Sequence, residues 1–163
     1  MAKKTKKVSK AAKVKLTRAL ETIRAFNAEE ALLKSVSLTD LYQVNNTLPN
    51  QVTFNLDFKN FGTATLTDAV LHDVNGTDKI LLNKVSGSIT NQPIDTNKEA
   101  DGKFLNITSV VTATNQTPVP QDLKVDFSIA GGMASKSYAI PSATFNSVGD
   151  SIIIDISIFF FHI

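Results

Sequence analysis

Cysteine and tryptophan are absent from this 163-residue chain, and histidine occurs twice, at His72 and His162. Without cysteine there is no disulfide framework, no thiol nucleophile and no thiolate zinc or iron–sulfur site. With no Trp and two Tyr, a carbohydrate-binding or glycosidase cleft is poorly supplied with aromatic platforms. Neither histidine lies in a nucleophile-elbow sequence. A phosphate-cradling loop is missing as well, because Gly131-Gly132 is followed by Met133-Ala134-Ser135 rather than Lys-Ser/Thr. No apolar run reaches the roughly 18 residues of a membrane-spanning helix. The basic start is not followed by the apolar stretch of a secretory signal peptide. The expectation is a chain that is not an enzyme and uses no cofactor or metal.

One fragment of a metal motif needs separate reading. Asn97, Glu99 and Asp101 followed by Gly102 share the oxygen-ligand spacing that opens a calcium loop. The last ligand position would be Thr108 rather than a bidentate Glu, and strands flank the segment. Asn91–Gly102 therefore reads as an outward-facing, solvated turn, with a weak calcium site at Asn97–Gly102 left open. Four Asn-x-Ser/Thr triplets, starting at Asn45, Asn75, Asn106 and Asn115, are what an Asn- and Thr-rich composition produces by chance.

Glycine and proline are also missing from the first 48 residues, and all seven Gly and five Pro lie from Pro49 onward. That shift marks two parts. Ala12, Leu16, Ala19, Ile23 and Phe26 recur at steps of four and three, with Leu20 beside them, which predicts an amphipathic helix. Asn27 and Glu30 have capping-box spacing, so a restart through Ala28–Lys34 is expected. The division expected is a basic helical arm over residues 1–35 and a β domain over 36–163.

Charge follows the same division. Lys3, Lys4, Lys6, Lys7, Lys10, Lys13, Lys15, Arg18 and Arg24 face only Glu21 within residues 1–24, a net of +8. The other eight Lys/Arg and fourteen Asp/Glu give residues 25–163 a net of −6. A basic arm on an acidic body suits phosphate contacts, or docking of one subunit's arm on the next subunit.

From about Val36 the apolar period becomes two. Val52, Phe54, Leu56 and Phe58 alternate with polar residues, as do Leu123, Val125, Phe127 and Ile129. Leu105, Ile107, Val111 and Ala113 share one face of a third strand. Weaker strand patterns cover Leu38–Val44, Ala64–Val74, Ile80–Val85 and Ser137–Ile140. Asn75-Gly76 gives the strongest hairpin signal, since both residues tolerate positive φ. The fold class expected is all-β, a sandwich of seven to nine strands, jelly-roll-like, carrying the helical arm.

The last strand is unusual. Ile152, Ile154, Ile156, Ile158 and Phe160 share one face, and Phe159, Phe161 and Ile163 make the other apolar too at its end. Such a strand needs cover on its second side, from the arm helix or from another subunit. Leu16, Leu20, Ile23, Phe26, Phe159, Phe160, Phe161 and Ile163 are therefore the candidate assembly contacts, with the nine arm cations as the docking or nucleic-acid-binding set. A basic arm on a β-sandwich resembles the layout of small viral capsid and phage structural proteins. The resemblance implies a self-assembling homo-oligomer in a virion or extracellular assembly, its arm docking on neighbouring subunits or genome. A non-viral filament subunit and a sequence-nonspecific nucleic-acid-binding module are the alternatives. No small-molecule substrate and no membrane span are expected.

Overall fold

The computed structural model describes residues 34–163. Those residues are mostly strand. In chain order they are β1 (Lys34–Gln43), β2 (Gln51–Phe58), β3 (Thr63–His72), β4 (Lys79–Val85) and β5 (Ile89–Thr96). A one-turn helix, α1 (Asn97–Ala100), precedes β6 (Phe104–Ala113). Then come β7 (Gln121–Asp122), β8 (Val125–Ala130), β9 (Lys136–Ala139), β10 (Thr144–Phe145) and β11 (Ser151–Phe161).

Strict alternation makes the long strands. In β2, Val52, Phe54 and Leu56 are fully buried while Thr53, Asn55 and Asp57 face outward. In β6 the buried side is Leu105, Ile107, Ser109, Val111 and Ala113. A period of two puts one apolar face on each strand, and two such faces stacked together exclude water from both. The strands form a five-stranded sheet in the order β1-β11-β6-β3-β4 and a four-stranded sheet in the order β5-β2-β8-β9, with β10-β7 as a small third pair. Side chains from both larger sheets merge into one buried cluster, including Tyr42, Phe54, Leu71, Ile107, Phe127, Ile154 and Phe160. Each large side chain in it contributes about 1.5–3 kcal/mol by leaving water.

The last strand is not an edge. β11 lies between β1 and β6, pairing antiparallel with β6 and in parallel with β1, Lys34 opposite Ile152 and Gln43 opposite Phe161. The open edge expected for this strand is thus closed by a strand of the same chain, while the arm helix expected as one cover of its second side lies outside the described residues. Lys34, expected to close a helix, opens β1 instead. Ser35, Ser37 and Thr39 alternate with Val36 and Leu38, a strand pattern that outweighs the capping-box signal.

Two further expectations need correction. Asn91–Gly102 is not an outward turn, because its first part is β5 and its second is α1, whose Asn97 and Ala100 are buried. The alternation of β5 is broken by Pro93, by a positive φ at Asn91 and by two register shifts against β2, which hides the strand from a period-two reading. Asn75-Gly76 does lie in the β3–β4 turn, but neither residue adopts positive φ. Asp73 builds that turn: its Oδ1 accepts the Asn75 N–H at 2.9 Å and its carbonyl accepts the Gly76 N–H.

Two clamps tie the sheets at their open sides. On one side Asp40 of β1 accepts hydrogen bonds from Lys136 Nζ at 2.8 Å and Tyr138 Oη at 2.6 Å, both on β9. On the other, Lys79 of β4 donates to the Ile94 carbonyl of β5 at 2.9 Å, and Lys103 sits between Asp73 and Asp95.

Candidate docking surface

The outward face of the five-stranded sheet carries exposed apolar residues in regular strands, whereas Phe61, Val74, Met133 and Val148 are exposed in loops. Register sets it out in rows across four strands. Leu41, Phe159, Phe104 and His72 stand side by side on β1, β11, β6 and β3. The rings touch: His72 stacks on Phe104 at 4.5 Å, and Phe104 on Phe159 at 5.3 Å, with interplanar angles of 20° and 25°. Such contacts are worth about 0.5–1.5 kcal/mol each beyond area burial. Leu41 and Phe159 nevertheless remain 55% and 46% exposed. His72 is held at the row's end by a 2.9 Å contact between its Nδ1 and Asp78.

Six residues along the strands is a second apolar row, Ile153, Val110 and Leu66, in which Ile153 is buried at 3% and Leu66 alone is half exposed. Between the two lie Thr39, Ser157, Asn106 and Val70, then Ser37, Asp155, Thr108 and Asp68. Thr108 donates to Asp155 at 2.8 Å. On the outward positions of β1, β11, β6 and β3 the acidic residues are Asp155 and Asp68, and none is Lys or Arg. Across these four strands the middle of the face carries the two carboxylates, of which Asp68 accepts the Lys84 N–H of β4 at 2.8 Å.

The other outward face contrasts with it. On the four-stranded sheet a shallow depression of about 420 Å³ is lined by Asn55, Asp57, Asp126, Ser128, Ser137 and Tyr138 together with Phe127 and Ala139, a mixed surface with two carboxylates. Asn55 spends its amide within the face, donating to Ser128 and accepting from the Asn91 N–H.

The expected contact residues divide. Phe160 is 2% exposed and edge-on to Tyr42, so it belongs to the core. Phe161 is half-buried, whereas Phe159 is on the outward row and Ile163 is 97% exposed. Lys3, Lys4, Lys6, Lys7, Lys10, Lys13, Lys15, Arg18 and Arg24, with Leu16, Leu20, Ile23 and Phe26, lie outside the described residues. Leu41, Phe104 and Leu66 were missed by the sequence reading. Their signal was present, since each is an apolar residue at the outward parity of its own strand, visible once that parity is fixed.

The region read as a partial calcium loop is occupied by protein. Asn97 accepts the Asn45 N–H through Oδ1 and donates through Nδ2 to the carbonyls of Asn50 and Gly131, at 2.7 Å each. Asp101 receives the His162 N–H at 3.1 Å and pairs with the His162 ring. Gly131 and Gly132 belong to the same knot. Gly131 has a φ of +95° and a side chain there would collide with the Gln51 backbone, while the Gly132 N–H donates to Tyr42 Oη at 3.0 Å.

Ionisation is perturbed at the β1–β9 clamp. Hydrogen bonds from Lys136 and then Tyr138 hold the Asp40 carboxyl down at about 2, and burial with that same bond pushes the Tyr138 phenol up. The pair fastens two edge strands, and Tyr138 also borders the shallow depression on the four-stranded sheet. Among the described residues no helix is long and apolar enough to cross a membrane.

No protein-family model, curated protein or solved structure matches this chain.

Proposed function

We propose that this chain is a structural, non-catalytic subunit that assembles with copies of itself, of the kind that builds virions or phage particles as a capsid or capsid-associated protein. The two larger sheets read as a β-sandwich. The parallel β1/β11 pair departs from an all-antiparallel jelly roll, so the sandwich alone enters the proposal. One observation carries the reading: Leu41 and Phe159 are paired side by side on the outside of a well-formed sheet, 55% and 46% exposed. Exposed apolar residues scattered singly are ordinary, whereas neighbours fixed together by register suit a contact surface. The arm cations add an attachment for an acidic surface, either a neighbouring body or a packaged genome. A filament subunit would use the same surfaces.

Multi-angle light scattering on the full chain, followed by negative-stain microscopy, tests the proposal. Particles or polymers are the expected result, and a monomer of 17.6 kDa at high concentration overturns it. Removal of residues 1–24 then separates the two roles of the arm. Loss of assembly assigns the arm to subunit docking. Unchanged particles together with lost, salt-sensitive nucleic-acid binding assign it to the genome. The Lys3-Lys4-Thr5-Lys6-Lys7 run favours a second reading, a sequence-nonspecific nucleic-acid-binding module, which would stay monomeric and bind any strand.

A further inference from the structure

We infer that the open edge of β1 pairs antiparallel with the same edge of a second copy of this chain, joining two five-stranded sheets into one. The inference rests on the assembly reading above and names the edge through which a copy attaches.

Backbone direction shows which groups of β1 are free to pair. The N–H and C=O of one strand residue point to the same side, and successive residues alternate sides. The Val44 N–H donates to the Phe161 carbonyl of β11 at 2.9 Å, so even-numbered residues of β1 face β11. From the opposite side the Met133 N–H donates to the Gln43 carbonyl at 3.0 Å, and Lys136 Nζ to the Leu41 carbonyl at 2.7 Å. Odd-numbered residues therefore face the open edge. Of these, Ser35, Ser37 and Thr39 are exposed, and β11 is the sole strand partner of β1 among the described residues. Consecutive open rungs of this kind are a template for another strand.

The other sheet edges are guarded. β4 carries Lys79 and Lys84, the latter at a φ of +51°, and its pairing with β3 slips in register. β5 has Pro93, which has no N–H to offer, and Asn91 at a φ of +47°. β9 is four residues long and begins at Lys136. Residues 35–39, by contrast, hold no charge, no Pro and no Gly. The edge of β1 alone is left plain.

The order of its side chains suits a second copy of itself. A two-fold axis through Ser37 sets Ser37 against Ser37 of the second copy and Ser35 against Thr39 of the second copy, so that all these open rungs bond at once. Ser and Thr placed opposite each other make favourable cross-strand pairs. On the core side the same register sets Val36 against Leu38 of the second copy, and both residues are partly buried against the core of their own subunit. Lys34 then faces Asp40 of the second copy. Moving the centre by one residue either way faces Lys34 or Asp40 with an apolar residue instead. Lys34 and Asp40 each have a partner in their own subunit, so this opposition fixes the register more than it adds affinity.

A single cysteine reports the join, because the chain has none of its own. Ser37→Cys in the full chain is treated with a short bismaleimide and run on a denaturing gel. Ser86→Cys, in the exposed β4–β5 turn beyond the opposite edge of the sheet, is the control. The expected result is a covalent dimer from position 37 and little from position 86. Amide exchange at Ser35, Ser37 and Thr39 should also slow as protein concentration rises. Ser37→Pro removes an N–H that faces the open edge, so the fold should tolerate it. Association should weaken by at least about tenfold, as expected from removing the central hydrogen bonds. An unfolded Ser37→Pro would place that N–H toward β11 and overturn the proposal. No crosslink at position 37 while light scattering still reports assembly overturns the choice of edge and leaves the assembly reading standing. Full protection of these amides in a dilute monomer overturns the proposal in favour of the chain's own residues. A monomer at high concentration in light scattering removes both readings.

Discussion

Phe159 and Phe160 are adjacent in β11 and turn to opposite faces of one sheet. The first ring is 46% exposed and stacked on Phe104; the second is 2% exposed and meets Tyr42 edge-on at 6.1 Å. A single step along a strand therefore separates a core residue from a surface one, and substitutions at the two positions should behave very differently.

Phe160→Ala should destabilise the subunit by about 3–5 kcal/mol, because it empties a closed site in the core. Phe159→Ser should cost under about 1.5 kcal/mol, chiefly the lost stacking on Phe104. Urea denaturation of both variants measures the difference. Equal losses would mean that β11 is in a different register.

Asp40 makes the β1–β9 clamp sensitive to acid. Its folded pKa, about 2, lies below the ordinary value of 3.8, so the ionised clamp stabilises the fold fully above the ordinary value. That contribution disappears as the pH falls from there toward 2. The carboxyl is about a third exposed, at 35%, so solvent screening limits the effect to the order of 1 kcal/mol. Denaturation of the wild type should therefore weaken on acidification through this range, and Asp40→Asn should flatten that part of the profile. An identical acid profile in Asp40→Asn would remove the clamp from the account.

Thr67 and Ser109 are both buried and share a 2.9 Å hydrogen bond inside the core, directly opposite each other on β3 and β6. Thr67→Val alone leaves the Ser109 hydroxyl without its partner and should cost about 1–3 kcal/mol. Adding Ser109→Ala should recover most of the loss. A double-mutant cycle read by thermal denaturation gives the coupling, and strict additivity would show the bond to be energetically idle.

Asn97 ties the β1–β2 connection to α1 and to Gly131 through three backbone partners. Asn97→Ala strands the half-buried Asn45 N–H and the Gly131 carbonyl, while the Asn50 carbonyl keeps the backbone N–H of residue 97, with an expected loss of about 1–3 kcal/mol. Added calcium should not restore the melting temperature of the variant or raise that of the wild type. A calcium-dependent rise in the wild type would revive the ligand reading of this segment.

Much of the β architecture is legible in local pattern. Alternation alone locates β2, β6, β8 and β11 and puts Ile152, Ile154, Ile156 and Ile158 on the core side, because burial of one face enforces a period of two. The pattern fails where geometry interrupts it. At β5 the bulges around Asn91 and Pro93 break the period, and at Asn97 a polar residue turns inward to serve three backbone groups from two loops. Long-range closure is invisible for a different reason. Asp40 and Lys136 are 96 residues apart, and no local period encodes which edges meet. The docking face is intermediate. Its residues obey the alternation, but whether an outward apolar residue stands alone or in a row depends on the register with three neighbouring strands.

The parallel pairing of β1 with β11 has a consequence for how the subunit is made. During synthesis the segment Lys34–Gln43 leaves the ribosome more than a hundred residues ahead of its only strand partner. The five-stranded sheet cannot close until β11 has been made, so β1 waits for it. Loss of β11 strips β1 and β6 of a partner at once, and a chain stopped before it would present two raw strand edges.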